Sequence, residues 1–189
     1  MKRIKRLELS EILKDKLQYP DDRKKILSVL TNEQAGYCAY TEKRIKATSA
    51  MDVEHFNPEI KDTQDDGYYN WFAVNHKWNL KKGDVKRWKK YQPILHPTSA
   101  DFEQRVVYDE ITGVYICRKE DYEAENLIKF LNINNAELVS ERTNKIILLE
   151  DLYKESNKES FTEWLSSPGS KQNLIEFRRA LETVFKINL

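Results

Sequence analysis

Glu54 and His55 stand side by side in the stretch Val53-Glu54-His55-Phe56-Asn57-Pro58. Asn70 follows 15 residues after the histidine, and Asn79 nine after that. A carboxylate and an amide are oxygen ligands suited to a hard divalent cation. An imidazole is the side chain best able to take a proton from water near neutral pH. Acid, histidine and asparagine are together the groups that one-metal hydrolysis of a phosphodiester requires. Pro58 suits the end of a short strand, because proline cannot donate to a ladder. Residues 70–82 contain no proline or glycine, which predicts one helix stopped by Gly83. The elements needed to position these groups are therefore strand, loop and helix, with Glu54 and His55 facing Asn79 across a metal.

This stretch resembles the HNH, or ββα-metal, nuclease motif: an acid–His pair, a middle asparagine, and a final asparagine or histidine on a helix followed by a basic residue. The matching positions are Glu54, His55, Asn70 and Asn79, with Lys82 as the basic residue. The resemblance implies that His55 is the general base that activates water. It implies that Glu54 and Asn79 hold one Mg²⁺ or Mn²⁺, and that Asn70 braces the loop and orients His55. Many relatives add a zinc held by two Cys-x-x-Cys pairs. Here the first pair falls on Cys38 and Thr41, and the second on Asn75 and Trp78. One cysteine of four remains, so no structural zinc is expected. Tyr37, Tyr40 and Trp78 are expected to fill the vacated space.

Past the motif, six of the ten residues from 81 to 90 are Lys or Arg, with Trp88 and Tyr91 interleaved. Such a run is either a solvated charged face or a phosphate-binding surface. Beside a phosphodiesterase motif, Lys86, Arg87, Lys89 and Lys90 are read as nucleic-acid contacts. His76 precedes Asn79 by three residues and shares its helix face. His76, His96 in Pro93-Ile94-Leu95-His96-Pro97, and Lys82 are secondary candidates, as a further ligand, a group that steadies a ligand or a phosphate contact.

A second resemblance widens the first. Phe130-Leu131-Asn132-Ile133-Asn134-Asn135-Ala136-Glu137-Leu138-Val139-Ser140-Glu141-Arg142 is similar to a segment of one HNH subfamily, as is the order of elements before it. That subfamily includes the HNH partners of ATPases in Septu-type anti-phage systems and certain retrons. Its usual members carry an Asp where His96 stands and a Lys where Glu59 stands. The likeness covers roughly residues 26–150, and it implies an ATPase partner subunit.

The 189 residues are enough for one good core. The formal net charge is only +1, so any nucleic-acid contact must come from a local patch rather than whole-molecule attraction. Cys38 and Cys117 form neither a metal pair nor a disulfide framework, which fits a reducing, cytoplasmic compartment. No apolar run reaches the length of a membrane span.

Along the chain, residues 1–9 read as a strand, a frayed edge or a tail along a phosphate backbone. Ser10 caps a helix reaching about Leu17. Pro20-Asp21-Asp22 opens another helix, with Ile26, Leu27 and Leu30 on its apolar face. Thr31 to Gln34 reads as a capping box that opens a brief turn. Residues 59–67 read as a loop, with Asp65-Asp66-Gly67 as a turn. Residues 105–108 and 114–117 form a hairpin around Thr112-Gly113. From Glu120 the chain is helical, and Ser170 caps a last helix that includes Leu174, Ile175 and Phe177.

The expected fold class is α+β: a ββα-metal core in residues 36–92, embedded in a mostly helical domain. A helical region in 1–35 precedes the core, and a hairpin with further helices in 93–189 follows it, all in one compact unit. The expected function is metal-dependent endonucleolytic hydrolysis of nucleic acid, DNA favoured, as the nuclease subunit of an anti-phage defence complex. The alternatives are a degenerate HNH fold acting as a binding or regulatory subunit, and an RNA-cleaving HNH nuclease.

Overall fold

A computed structural model of the chain describes residues 1–156, 160–166 and 174–189. It is a mixed α and β fold with two small antiparallel sheets. In chain order the elements begin with α1 (Glu11–Lys14), α2 (Arg23–Glu33), β1 (Met51–His55), β2 (Trp71–Asn75), α3 (His76–Lys82) and α4 (Val85–Lys90). They continue with α5 (Phe102–Arg105), β3 (Val107–Asp109), β4 (Val114–Ile116), α6 (Tyr122–Leu131), α7 (Ala136–Lys154), α8 (Phe161–Ser166) and α9 (Arg178–Phe185).

The β1–β2 pair is the middle layer of the molecule. Its register places Glu54 opposite Phe72 and His55 opposite Trp71. Side chains alternate between faces along a strand. Val53, Trp71 and Ala73 accordingly pack with Ile12, Ile26 and Leu30 of α1 and α2. Phe72 and Val74 face the larger core, with Trp78, Trp88, Phe102, Leu127 and Phe130.

Residues 70–82 are not one helix. Trp71 to Val74 are four consecutive buried side chains, and that pattern belongs to a strand covered on both faces. The helix starts only at His76, where Asn75 turns the chain and its side chain accepts from Lys77 N. Gly83 ends it at φ 85°, a conformation that favours glycine. The expected single helix is thus a strand followed by a helix.

The region 31–34 is another correction. Helix α2 runs through to Glu33, and Gln34 closes it. The buried Gln34 side chain accepts from Ala73 N at 2.9 Å and donates to Ala73 O and Tyr37 O, each at 2.9 Å. Ala39 N also donates to Ala73 O at 3.0 Å, so Gln34 and Ala39 together occupy the outer edge of β2, and Gln34 alone satisfies the buried Ala73 N.

Residues 1–9 form no strand, and the start of the chain is packed rather than frayed. Met1 and Ile4 are buried in the main core. The Arg6 guanidinium lies 4.2 Å from the Phe72 ring centre and donates to Trp71 O. Ser10 caps α1 as expected, but that helix stops at Lys14. The hairpin falls at β3–β4, with Arg105 in a short helix before it. Buried Arg142 donates to Gly113 O at 3.1 Å and so holds the hairpin turn on α7. The expected Ser170 cap lies outside the described residues. The last helix begins at Arg178, so Leu174, Ile175 and Phe177 precede it. Among the described residues no helix is long and apolar enough to cross a membrane.

Candidate functional site

The order β1–β2–α3 brings the motif residues into one neighbourhood but onto two faces of β1. Glu54 and Asp52 lie two apart and face α3. Helix α3 returns Asn79 and Lys82 to that face, because residues three apart share one side of a helix. The side chains pair crosswise. Lys82 Nζ donates to Glu54 Oε1, and also to His55 O at 2.7 Å and Phe56 O at 3.3 Å. Asn79 Nδ2 donates to Asp52 Oδ2 at 2.9 Å. Asp52 Oδ2 also meets His76 Nδ1 at 2.7 Å, and Asp52 Oδ1 meets Arg23 at 3.2 Å.

Glu54 and Lys82 are both buried. Burial pushes the Glu54 carboxyl above its ordinary value, against the opposing pull of Lys82. Burial likewise pushes the Lys82 ammonium down, against the pull of Glu54.

His55 points the other way. Its ring meets Tyr19 edge-on at 4.7 Å and Trp71 at 6.3 Å. The expected arrangement, with Glu54 and His55 on one side facing Asn79, is therefore not what the alternation of β1 produces. His55 Nε2 is buried and lies 3.1 Å from Asp66 Oδ2, off the direction of a formed hydrogen bond. A carboxylate only accepts, so its presence favours the tautomer with the proton on Nε2 and the lone pair on Nδ1. Burial lowers the His55 pKa below its usual range, opposed by Asp66 and assisted by Lys61. The ring is thus neutral near pH 7, the state a general base needs.

Asp66 is the residue that the sequence reading passed over, because Asp65-Asp66-Gly67 looks like turn chemistry. Its Oδ1 accepts from Asn70 Nδ2 at 2.9 Å and from Trp71 Nε1 at 2.8 Å. Asn70 meanwhile closes the loop on itself. Its Oδ1 accepts from Asn57 N at 2.8 Å and its Nδ2 donates to Asn57 O at 3.1 Å. Asn70 thus braces the loop and, through Asp66, reaches His55 indirectly.

Cys38 lies where the first zinc ligand would fall, and its Sγ accepts from Asn75 N at 3.3 Å. The positions that resemble the two zinc pairs therefore meet in space. Tyr37, Tyr40 and Trp78 are buried there in the main core.

The other candidates are placed as follows. His76 is half-exposed and held on Asp52. His96 is packed edge-on against Phe56 at 4.9 Å, and its Nδ1 is 2.7 Å from Thr98 Oγ1. Burial lowers its pKa to about 4. Lys86, Lys89 and Lys90 are exposed on α4. Lys89 also lies 3.3 Å from Glu59, which itself accepts from Trp88 Nε1 at 3.0 Å. Arg87 turns inward: its guanidinium donates to Lys129 O at 2.8 Å and Phe130 O at 3.2 Å, at the end of α6.

Glu54 and Asn79 each carry an oxygen of the kind a hard divalent cation takes, and Asn79 Oδ1 lies on the branch of the amide that does not bond Asp52. Among the described residues no group of three or more His, Cys, Asp or Glu side chains is placed to hold a metal ion. Lys82 is the competing cation for Glu54. No protein-family model matches the chain, and no curated protein matches it significantly.

Proposed function

We propose that this protein is an HNH-type endonuclease that hydrolyses nucleic-acid phosphodiester bonds, DNA in preference. The single observation that carries the reading is the strand–strand–helix order, with His55 closing β1 and Asn79 returned over the same strand. In this reading the phosphate sits across the end of β1, which His55 closes, so that His55 Nδ1 on one face accepts the proton of an attacking water while the other face carries the metal. Asp66 lies on the Nε2 side of the ring as its charge partner, and Asn70 fixes the loop that carries Asp66. Glu54 and Asn79 would hold Mg²⁺ or Mn²⁺, which supplies electrostatic stabilisation of the phosphate and the leaving oxygen when bound. Lys86, Lys89 and Lys90 contact backbone phosphates beside the site. The resemblance to HNH subunits of Septu-type and retron-associated systems supports an ATPase partner and a role in anti-phage defence.

A second reading, a degenerate HNH fold serving as a binding subunit, is favoured by one observation. Glu54 is already neutralised by a buried ammonium, while His55 faces away from it. Incubation of plasmid DNA and of RNA with Mg²⁺ or Mn²⁺, alone and with the co-expressed ATPase, separates the readings. Metal-dependent cuts in DNA support the nuclease, and cuts confined to RNA change the substrate. Intact DNA and RNA under every condition favour the binding subunit.

A further inference from the structure

Asp52 carries no role in the motif, yet three groups converge on it. Its Oδ2 takes Asn79 Nδ2 at 2.9 Å and His76 Nδ1 at 2.7 Å, and its Oδ1 takes Arg23 at 3.2 Å. An amide side chain presents either an oxygen or an NH₂ to a cleft, and only the oxygen ligates a hard cation. A carboxylate accepts and never donates, so Asp52 selects the NH₂ edge of Asn79 for itself. The planar amide then carries Oδ1 on its other branch, away from Asp52. The same carboxylate also takes Nδ1 of the half-exposed His76 ring.

We propose that Asp52 is the positioning residue of the cation site, orienting Asn79 so that its oxygen, not its nitrogen, faces the metal. The inference rests on the proposed function. Its reach is set by the fold: β1 alternation puts Asp52 on the Glu54 face, and α3 lays Asn79 across it. Positioning partners of this kind change metal affinity by roughly ten- to a hundredfold when removed.

The test is Mn²⁺ binding to the full chain without nucleic acid, followed by the electron paramagnetic resonance signal of the free ion. Asp52→Ala removes the acceptor and is expected to weaken Mn²⁺ binding about tenfold or more. Asp52→Asn keeps an acceptor oxygen for the Asn79 N–H and is expected to retain most of the affinity. Asn79→Ala should lose affinity as Asp52→Ala does, and the double variant should be no weaker than Asn79→Ala alone, because the two act as one unit. Thermal midpoints of the Asp52 variants within a few degrees of the wild type show that folding is not what changed. Wild-type affinity in Asp52→Ala overturns the inference. An Asp52→Asn variant as weak as Asp52→Ala also overturns it, because charge rather than orientation is then the contribution. A wild type that binds no Mn²⁺ overturns the metal reading itself, and the inference with it.

Discussion

Replacing Lys82 with methionine tests the most buried charge pair of the site. Lys82 and Glu54 have side-chain exposures of 2% and 8%, so neither partner is solvated when the other is removed. Loss of one member of a buried ion pair costs about 3–5 kcal/mol, because the remaining charge is uncompensated. The ammonium also serves His55 O and Phe56 O, where β1 gives way to the loop. Each of those bonds contributes about 0.5–1.5 kcal/mol. Against a total stability of about 5–15 kcal/mol, the variant is severely destabilised at pH 8.

The pH dependence has a definite sign. Without Lys82, burial dominates at Glu54 and, with Asp52, outweighs the hydrogen bond from His55 N, so its folded pKa stands above the unfolded one. A carboxyl of that kind contributes most below its unfolded pKa, and its contribution is lost as pH rises through the folded pKa. The Lys82→Met penalty relative to wild type should therefore shrink as pH falls from 8 toward 5. Urea unfolding of both proteins across that range measures it. The double variant Lys82→Met with Glu54→Gln should recover part of the loss. A penalty below about 1 kcal/mol at pH 8, or one that does not change with pH, would refute the claim that the pair is dry and mutually dependent.

Four further outcomes follow from the geometry. Asp66→Asn should lower kcat by about tenfold or more with little change in KM, since it touches His55 rather than substrate; equal kcat would remove Asp66 from the mechanism. The acid limb of the cleavage rate should fall below the ordinary histidine value of 6.5, because burial lowers the His55 pKa and activity is lost as pH falls through it. For His96, a folded pKa of about 4 against the ordinary 6.5 makes about 3 kcal/mol of stability disappear as pH falls from 6.5 to 4, and NMR should show its ring still neutral at pH 5.5. Simultaneous Lys86, Lys89 and Lys90→Ala changes should flatten the salt dependence of duplex binding by about 2–3 in slope, whereas Arg87→Ala should act on folding through the end of α6.

Much of the site was legible in the sequence because its residues sit at strand and helix positions with fixed periods. Glu54 and His55 end a strand, and Asn79 and Lys82 lie on a helix stopped by Gly83. The alternation of β1 was available too. Applied to Glu54, it separates His55 from Glu54 and points to Asp52 two residues earlier. Asp66 was not legible in the same way. Its role depends on a loop folding back onto β1 through Asn70 and Asn57, and loop closure leaves no periodic trace. The lack of breakers predicts a helix over Trp71 to Val74, yet four successive buried side chains are a strand's pattern in a layer covered on both faces. Gln34 has the spacing of a capping box, because a polar side chain that pairs with a distant strand edge resembles a local cap until the strand is placed.

The central claim is that His55 is the base of a metal-dependent phosphodiester hydrolysis. Single-turnover cleavage of DNA by the wild type and by His55→Ala, with Mn²⁺ binding measured on the same preparations, tests it most directly. The account predicts cleavage that requires the metal in the wild type, none in His55→Ala, and equal Mn²⁺ affinity in both. A His55→Ala variant that cuts at the wild-type rate would contradict it.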